Sequence, residues 1–129
     1  MILDHIGFPV SDYQRAKEFY TKALAPLGIT LLMEIPAEVT GDQPAGGFGK
    51  DGKPDFWISG GVRVVPGVHV AFVAADRAAV DRFYEAALKA GGTDNGAPGL
   101  RPIYHPNYYG AFVRDPDGHN IEAVCHQPG

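Results

Sequence analysis

The sequence predicts an α+β fold built from two tandem βαβββ modules, residues 1–64 and 65–129, within a single domain. Residues 5–28 align without a gap on residues 69–92 at a constant offset of 64, and eight of these 24 positions are identical. Each copy opens with strand-like alternation and continues with a helical apolar stripe. We therefore expect the modules to form a cupped mixed sheet with helices on the outer face.

The opening strand of each copy separates apolar residues from a histidine. In the first copy Ile6 and Phe8 fall on one face and His5 on the other. In the second copy Val70 and Phe72 alternate in the same way with His69. Because side chains of a strand point to alternate faces, both histidines are predicted on the face that does not meet the helices.

A helix is predicted after each opening strand. Asp12 and Asp76 stand where an N-cap is needed, since a short side-chain oxygen accepts from a free backbone N–H. Apolar residues then recur with the helical period, and Gly28 and Gly92 suit the helix ends. The two stripes are Ala16, Phe19, Tyr20, Ala23 and Leu24, then Val80, Phe83, Tyr84, Ala87 and Leu88.

Short strands separated by glycine and proline complete each copy. The expected segments are a strand at Ile29–Ile35, a loop at 41–47, and strands near Phe48 and at Phe56–Ser59, then a loose segment at 93–101 and strands at Tyr108–Arg114 and His119–Cys125. Residues 115–118, Asp-Pro-Asp-Gly, form a strong turn signal. The offset of 64 extended into these strands pairs Phe48 with Phe112.

Composition excludes several classes of protein. A formal net charge of −4 with no basic run argues against nucleic-acid binding, which needs clustered Lys and Arg. No segment is long and apolar enough to cross a membrane, and the start lacks the pattern of a signal peptide. A single cysteine, Cys125, favours a reducing cytoplasm. We expect a cytoplasmic protein with a small-molecule ligand, and exposed sheet edges favour a homodimer.

Three residues are predicted to converge on one divalent metal ion. Strand alternation sends His5, His69 and Glu122 to the same non-helical side. Two imidazoles and one carboxylate on one side of an ion leave open positions for water or substrate. This ligand set suits Mn, Fe, Ni, Co or Zn. Two other histidines, His119 and His126, are expected on the surface.

The chain resembles the vicinal oxygen chelate superfamily, which includes glyoxalase I, fosfomycin-resistance thiol transferases, extradiol dioxygenases and bleomycin-resistance proteins. The matching segments are residues 4–8 (Asp-His-Ile-Gly-Phe), residues 68–72 (Val-His-Val-Ala-Phe), the two Phe-Tyr helices and residues 112–122. The resemblance spans essentially the whole chain. It implies a cupped sheet with a central divalent metal that a substrate chelates through adjacent oxygens.

One departure from the family pattern concerns the reaction. Members such as glyoxalase I carry a further Glu on the last strand of the first copy. The offset puts this position at Ile58, or at Trp57 if the register slips by one. Neither side chain binds a metal or moves a proton, which disfavours glyoxalase I itself. The extradiol pattern suggests His105 as an acid/base group, with Tyr108 or Tyr109 in place of a tyrosine where this chain has Phe112.

Further candidates surround the predicted opening. Trp57 and Tyr104, with the two adjacent tyrosines, would form an aromatic wall for an organic ligand, or simply pack at a strand edge. Arg101 would meet an anionic substrate or form a solvated salt bridge. Two functions stay open: a metal-dependent lyase or dioxygenase, and a non-catalytic protein of the bleomycin-resistance type that sequesters a small molecule. Fosfomycin-type thiol transfer ranks below both, because few cations converge here.

Overall fold

The computed structural model describes residues 2–129, and within them the chain forms nine β-strands and three α-helices. The first module contains β1 (Ile6–Pro9), α1 (Tyr13–Leu24), β2 (Thr30–Ile35), α2 (Ala37–Thr40), β3 (Ala45–Lys50) and β4 (Lys53–Ser59). The second contains β5 (His69–Val73), α3 (Arg77–Lys89), β6 (Thr93–Asp94), β7 (Gly99–Leu100), β8 (Tyr109–Arg114) and β9 (Asn120–Cys125).

Each module folds into its own mixed sheet. The first sheet has the order β1-β4-β3-β2, and the second has the order β5-β9-β8-β6, with β7 also paired to β8. In both sheets the opening strand runs parallel to the last strand, and the remaining pairs are antiparallel. The predicted α+β fold with two βαβββ-like modules is confirmed, and the two sheets are not closed into a barrel.

The structure differs from the prediction between the main strands. The first module has one extra helical turn, α2, which begins after Pro36 and ends at Gly41 in the left-handed conformation with φ 79°. Strand β3 begins at Ala45, inside the expected loop. The loose segment of the second module contains the two-residue strands β6 and β7. These short pieces carry no long apolar period, so the pattern along the chain did not reveal them.

The two long helices begin at the predicted caps. The side chain of Asp12 accepts a hydrogen bond from the Arg15 N–H at 3.1 Å, and that of Asp76 accepts from the Ala79 N–H at 2.7 Å. The first stripe is buried in the core, whereas in the second stripe the prediction fails at Leu88, which is 37% exposed. Helix α1 packs on α3. Across the modules, the rings of Phe56 and Phe72 meet edge to face with their centres 5.0 Å apart. No helix within residues 2–129 is long and apolar enough to cross a membrane.

The turn between β8 and β9 joins the second module to the first. The Asp115 carboxylate accepts hydrogen bonds from the backbone N–H groups of Asp117 and His119, both at 2.9 Å. Its other oxygen accepts from the buried Tyr20 hydroxyl on α1 at 2.5 Å. The Asp117 carboxylate binds Ser11, accepting from its N–H at 2.7 Å and its hydroxyl at 2.5 Å. One turn of the second module therefore binds two parts of the first.

His119 was expected on the surface, and the structure corrects this, because the residue is fully buried. Its Nδ1 accepts a hydrogen bond from the Val68 N–H at 3.0 Å, and its ring meets that of Phe8 at 4.6 Å. The side chain thus lies between the modules. The surface expectation rested on the preceding turn, although alternation with the core residues Ile121 and Ala123 gives residue 119 the buried face.

The Tyr20 hydroxyl provides a direct test of the contact between modules. Replacing it in Tyr20→Phe leaves a buried Asp115 oxygen without its donor, and we expect the free energy of unfolding to fall by about 1–3 kcal/mol. The matched control is Tyr84→Phe at the equivalent repeat position, where the hydroxyl donates to Asp94 at the exposed surface. In urea unfolding, Tyr84→Phe should lower the free energy of unfolding by less than about 1 kcal/mol. Equal losses in the two variants would contradict a special role for Tyr20.

The same pair predicts a loss of stability at high pH. Burial, followed by the Asp115 carboxylate, raises the pKa of Tyr20 well above its ordinary value. The unfolded chain releases this proton near the usual tyrosine pKa of about 10, whereas the folded chain keeps it. The stabilisation that protonated Tyr20 gives the folded state is therefore complete below about pH 10 and falls as the pH rises further. Between about pH 9 and 11 the free energy of unfolding should decline more steeply in wild type than in Tyr20→Phe.

Candidate functional site

Each sheet has a helix-covered face and an opposite face, which we call the open face. In the second module the core-facing residues are Val113 on β8 and Ile121 and Ala123 on β9. Because strand residues alternate, Glu122 lies on the open face, next to Ala71 on β5 and Phe112 on β8, its two register partners. Glu122 therefore lies at the centre of the second open face.

Glu122 is a buried carboxylate with two polar partners. The residue is only 1% exposed. Its Oε1 lies 3.0 Å from Nε2 of His69, whose side chain is 52% exposed. Its Oε2 accepts a hydrogen bond from the Tyr108 hydroxyl. A buried carboxylate needs such partners, because removing its charge from water is costly. The structure thus brings the predicted ligands His69 and Glu122 together.

Tyr108 reaches Glu122 from the loop before β8. Burial, then the hydrogen bond to Glu122, raises the pKa of Tyr108 above the ordinary tyrosine range, so the phenol stays protonated at neutral pH. Gly110 leaves room for this contact, because a Cβ there would lie 3.3 Å from both Glu122 Oε2 and Tyr108 Cε1. Alternation along the predicted strand Tyr108–Arg114 gives Tyr108 and Gly110 the same face as Phe112, but it does not reveal the contact with Glu122.

His105 is separated from Glu122 by the Tyr108 ring. Its ring packs against Tyr108 with centres 5.6 Å apart, and its Nδ1 accepts from the Asn107 N–H at 3.1 Å. Its Nε2 lies 2.6 Å from Nδ1 of His126, beyond the end of β9. This contact was missed, although a signal existed: period-two alternation from Glu122 through Val124 reaches His126.

The remaining predicted residues of the second module have different surroundings. The exposed ring of Tyr104 lies 4.7 Å from that of Tyr108. The Arg101 guanidinium donates to the carbonyls of Gly99 and Ala97, at 2.9 and 2.8 Å, and lies 5.4 Å from the centre of the Phe112 ring. These contacts hold Arg101 against its own loop.

Tyr109 lies on the opposite face from Glu122. Its hydroxyl donates to Asp81 of α3 at 2.7 Å, and this hydrogen bond raises its pKa. Of the two adjacent tyrosines offered as acid/base groups, only Tyr108 contacts Glu122, because consecutive strand positions face opposite ways. Tyr109 is therefore part of the packing between α3 and β8.

His5 and His69 both line one cleft. The cleft has a volume of about 600 Å³ and extends between the start of β1, the β3–β4 turn and β5. His5 Nδ1 lies 2.7 Å from Asp4 Oδ2, and its side chain is 58% exposed. Hydrogen bonds from His5 and then Lys53 lower the pKa of Asp4. Within residues 2–129 of one chain, no three His, Cys, Asp or Glu side chains are close enough together to hold a metal.

The strand register corrects the position equivalent to Glu122 in the first module. Ala71 pairs with Glu122, and its repeat partner Gly7 pairs with Trp57. Trp57 is therefore the equivalent residue, whereas Ile58 is 1% exposed and belongs to the core. The offset grows by one residue between α1 and β4, which also aligns Phe48 with Val113 rather than Phe112. The first open face thus lacks the carboxylate of the second.

Comparisons with known proteins agree with this architecture. Residues 2–123 match the family model described as the glyoxalase/bleomycin resistance protein/dioxygenase superfamily. No curated protein gives a significant match to the sequence. The chain is 25% identical to a glyoxalase/bleomycin resistance protein from Albidiferax ferrireducens T118, with a TM-score of 0.79 over 97% of this chain and 99% of that one.

Two further solved structures share the fold. A glyoxalase I variant from Zea mays is 24% identical, with a TM-score of 0.72 over 95% of this chain and 46% of the maize chain. A glyoxylase/bleomycin resistance protein/dioxygenase domain from Frankia sp. EAN1pec is 17% identical, with a TM-score of 0.72 over 98% of both chains. Together with the family match over nearly the whole sequence, the two repeated modules assign this chain to the glyoxalase/bleomycin resistance protein/dioxygenase superfamily.

Proposed function

We propose that this protein is a metal-dependent enzyme that acts on a small organic substrate with two adjacent oxygen atoms. The observation that carries the proposal is the buried Glu122 carboxylate beside the accessible His69 imidazole. A carboxylate at the centre of an open sheet face has no structural need to be there, because an apolar residue would cover the same strand without a desolvation cost. Its position favours a functional role.

The geometry of the pair suits a divalent ion. Ligand bonds of about 2.0–2.2 Å from one ion place two neighbouring donor atoms roughly 3 Å apart. The distance of 3.0 Å between His69 Nε2 and Glu122 Oε1 has this value. The same distance fits a hydrogen bond between His69 and Glu122. The metal content of the protein therefore distinguishes a metal-binding pair from a hydrogen-bonded pair. Imidazole and carboxylate together suit Mn, Fe, Ni, Co or Zn.

His5 is the proposed third ligand. A ligating histidine usually gives its second ring nitrogen to a carboxylate, and Asp4 takes that part when His5 donates from Nδ1. The opposite nitrogen, Nε2, is then available to a metal. Because His5 does not meet the His69–Glu122 pair within one chain, we propose that a second copy completes the site. The strands β1 and β5 each pair with only one strand in the described chain, which leaves edges for such pairing.

The residues around the pair suggest how the chemistry is supported. A divalent ion bound here supplies Lewis-acid stabilisation of negative charge on substrate oxygens. Tyr108 orients Glu122 by donating a hydrogen bond to its Oε2, and the raised pKa of Tyr108 keeps this donor protonated. His105 and His126 hold the loop that carries Tyr108. The glyoxalase I reaction is not proposed, because Trp57 stands where a second carboxylate would be required.

A second function, ligand sequestration without chemistry, is favoured by one observation. In the described part of a single chain, only two of the three proposed ligands come together. A bleomycin-resistance type of protein needs an open face and a cleft but no metal. Metal dependence separates the two functions, because sequestration would survive complete removal of divalent ions.

Metal content tests the proposal directly. Tag-free protein, loaded with Mn²⁺ or Co²⁺ and then desalted, should hold about one ion per chain by elemental analysis. The variants His69→Ala and Glu122→Gln should each lose most of this metal, with apparent affinity falling about tenfold or more. A suitable control is Glu34→Gln, since Glu34 also accepts from a tyrosine, Tyr13 at 2.8 Å, outside the proposed site. Metal-free wild type, or equal loss in the control, would refute the enzyme proposal.

Complementation tests the shared site. When His5→Ala and Glu122→Gln chains are co-expressed, each mixed dimer should regain one intact site, restoring about a quarter of the wild-type metal at random pairing. The matched control combines His69→Ala with Glu122→Gln. Both lesions then lie in the second module, so every shared site stays defective. No gain over this control would show that a second copy does not supply His5.

A further inference from the structure

Trp57 occupies the position in the first module that Glu122 occupies in the second. The two residues are equivalent by strand pairing, since each is the register partner of the residue two places after the repeated histidine. An indole therefore replaces a carboxylate at the centre of the first open face. A site formed between a first module and a second module would have metal-ligating side chains on one side and an aromatic ring on the other.

The indole lies flat on the sheet. A Cβ built on Gly47 would be 2.8, 2.8 and 2.9 Å from three atoms of the six-membered ring of Trp57, namely Cε2, Cζ2 and Cη2. Nearly equal distances mean that Gly47 meets the face of the ring rather than its edge. Gly7, on the other side, lies against the Cβ of Trp57, where an added methyl would come within 3.2 Å. One ring face is thus held by backbone, and the residue is only partly buried.

An accessible apolar side chain lies on the strand beyond Gly47. Met33 pairs with Gly47 on the neighbouring strand β2 and is 48% exposed. Leu31, by contrast, approaches Gly46 on the helix side, together with the Tyr13 hydroxyl. The first open face therefore combines a flat aromatic surface with a flexible thioether, a combination that suits a planar apolar group more than a polar one.

We propose that Trp57 determines substrate specificity by stacking on a planar aromatic group attached to the chelating oxygens of the substrate. This inference rests on the proposed function, because the oxygens are to be held by the metal site of His5, His69 and Glu122. The ring supported by Gly47 offers one face to the ligand, and stacking adds affinity beyond the apolar area that is buried.

Two hydroxamates with the same pair of chelating oxygens provide the test. Benzohydroxamate carries a phenyl ring, and acetohydroxamate carries a methyl group. Binding of each to Co²⁺-loaded protein is measured by calorimetry for wild type, Trp57→Leu and Trp57→Phe. Trp57 is the single tryptophan of the chain, so quenching of its fluorescence in wild type reports ligand contact at this residue alone.

The inference predicts a selective effect. Wild type should bind benzohydroxamate more tightly than acetohydroxamate, with strong quenching by the former. Trp57→Leu should weaken benzohydroxamate binding about three- to tenfold and leave acetohydroxamate within about twofold, whereas Trp57→Phe should retain most of the preference. Gly47→Ala should act like Trp57→Leu, because its new methyl group displaces the indole without removing it.

Three results would overturn the inference. Equal affinities of wild type for the two hydroxamates would do so, as would a phenyl preference that persists in Trp57→Leu. If acetohydroxamate binds the metal in either case, the proposed metal site stands and only the role of Trp57 fails. If neither compound binds the Co²⁺-loaded protein, the chelating site itself is wrong and the inference fails with it.

Discussion

The buried carboxylate of Asp115 is the interaction on which the arrangement of the two modules depends. It binds two backbone N–H groups of its own turn and the Tyr20 hydroxyl of α1. Each hydrogen bond to an ionised acceptor is stronger than one between neutral groups, and all three are buried. Asp117 and His119 extend the same turn to Ser11 and Val68. A local turn motif thus determines a contact between distant parts of the chain.

This constraint also positions the candidate site. Strand β9 begins immediately after the turn, so the position of Glu122 follows from the residues that hold the turn in place. Glu122 in turn lies between His69 on β5 and Tyr108 in the loop before β8. Three segments therefore meet at one carboxylate. The second module brings His69, Glu122 and Tyr108 together, whereas the first has an exposed histidine, His5, and a partly buried indole, Trp57.

Much of the architecture could be predicted because duplication repeats its signals. Caps, helical stripes and opening strands occur twice, and Asp12 and Asp76 behave as their sequence positions indicate. Strand register was harder to predict from the sequence, because one additional residue in the second module moves the equivalent of Glu122 from Ile58 to Trp57. Short-range alternation is read from sequence, but an insertion between strands becomes visible only through hydrogen-bonded pairing.

The parts of the site that escaped prediction depend on tertiary contacts. Tyr108 approaches Glu122 from a loop, and His105 finds its partner His126 after β9. Alternation from Glu122 does reach His126, but the contacts themselves depend on how the loop before β8 folds back on the sheet. Burial of His119 likewise depends on the neighbouring Phe8 of the first module. Residue type suggested a role for Tyr108 and His105 only, whereas the parts played by His119 and His126 follow from the side chains they meet.

X-ray absorption at the cobalt edge of Co²⁺-loaded protein tests whether His5, His69 and Glu122 bind the same ion. Scattering from imidazole rings counts the histidine ligands of the ion and distinguishes them from carboxylate oxygens. We expect two imidazoles in wild type, one in either His5→Ala or His69→Ala, and two in His126→Ala. A metal without imidazole scattering, or a count unchanged in His69→Ala, would contradict the assignment of His5, His69 and Glu122 to one site.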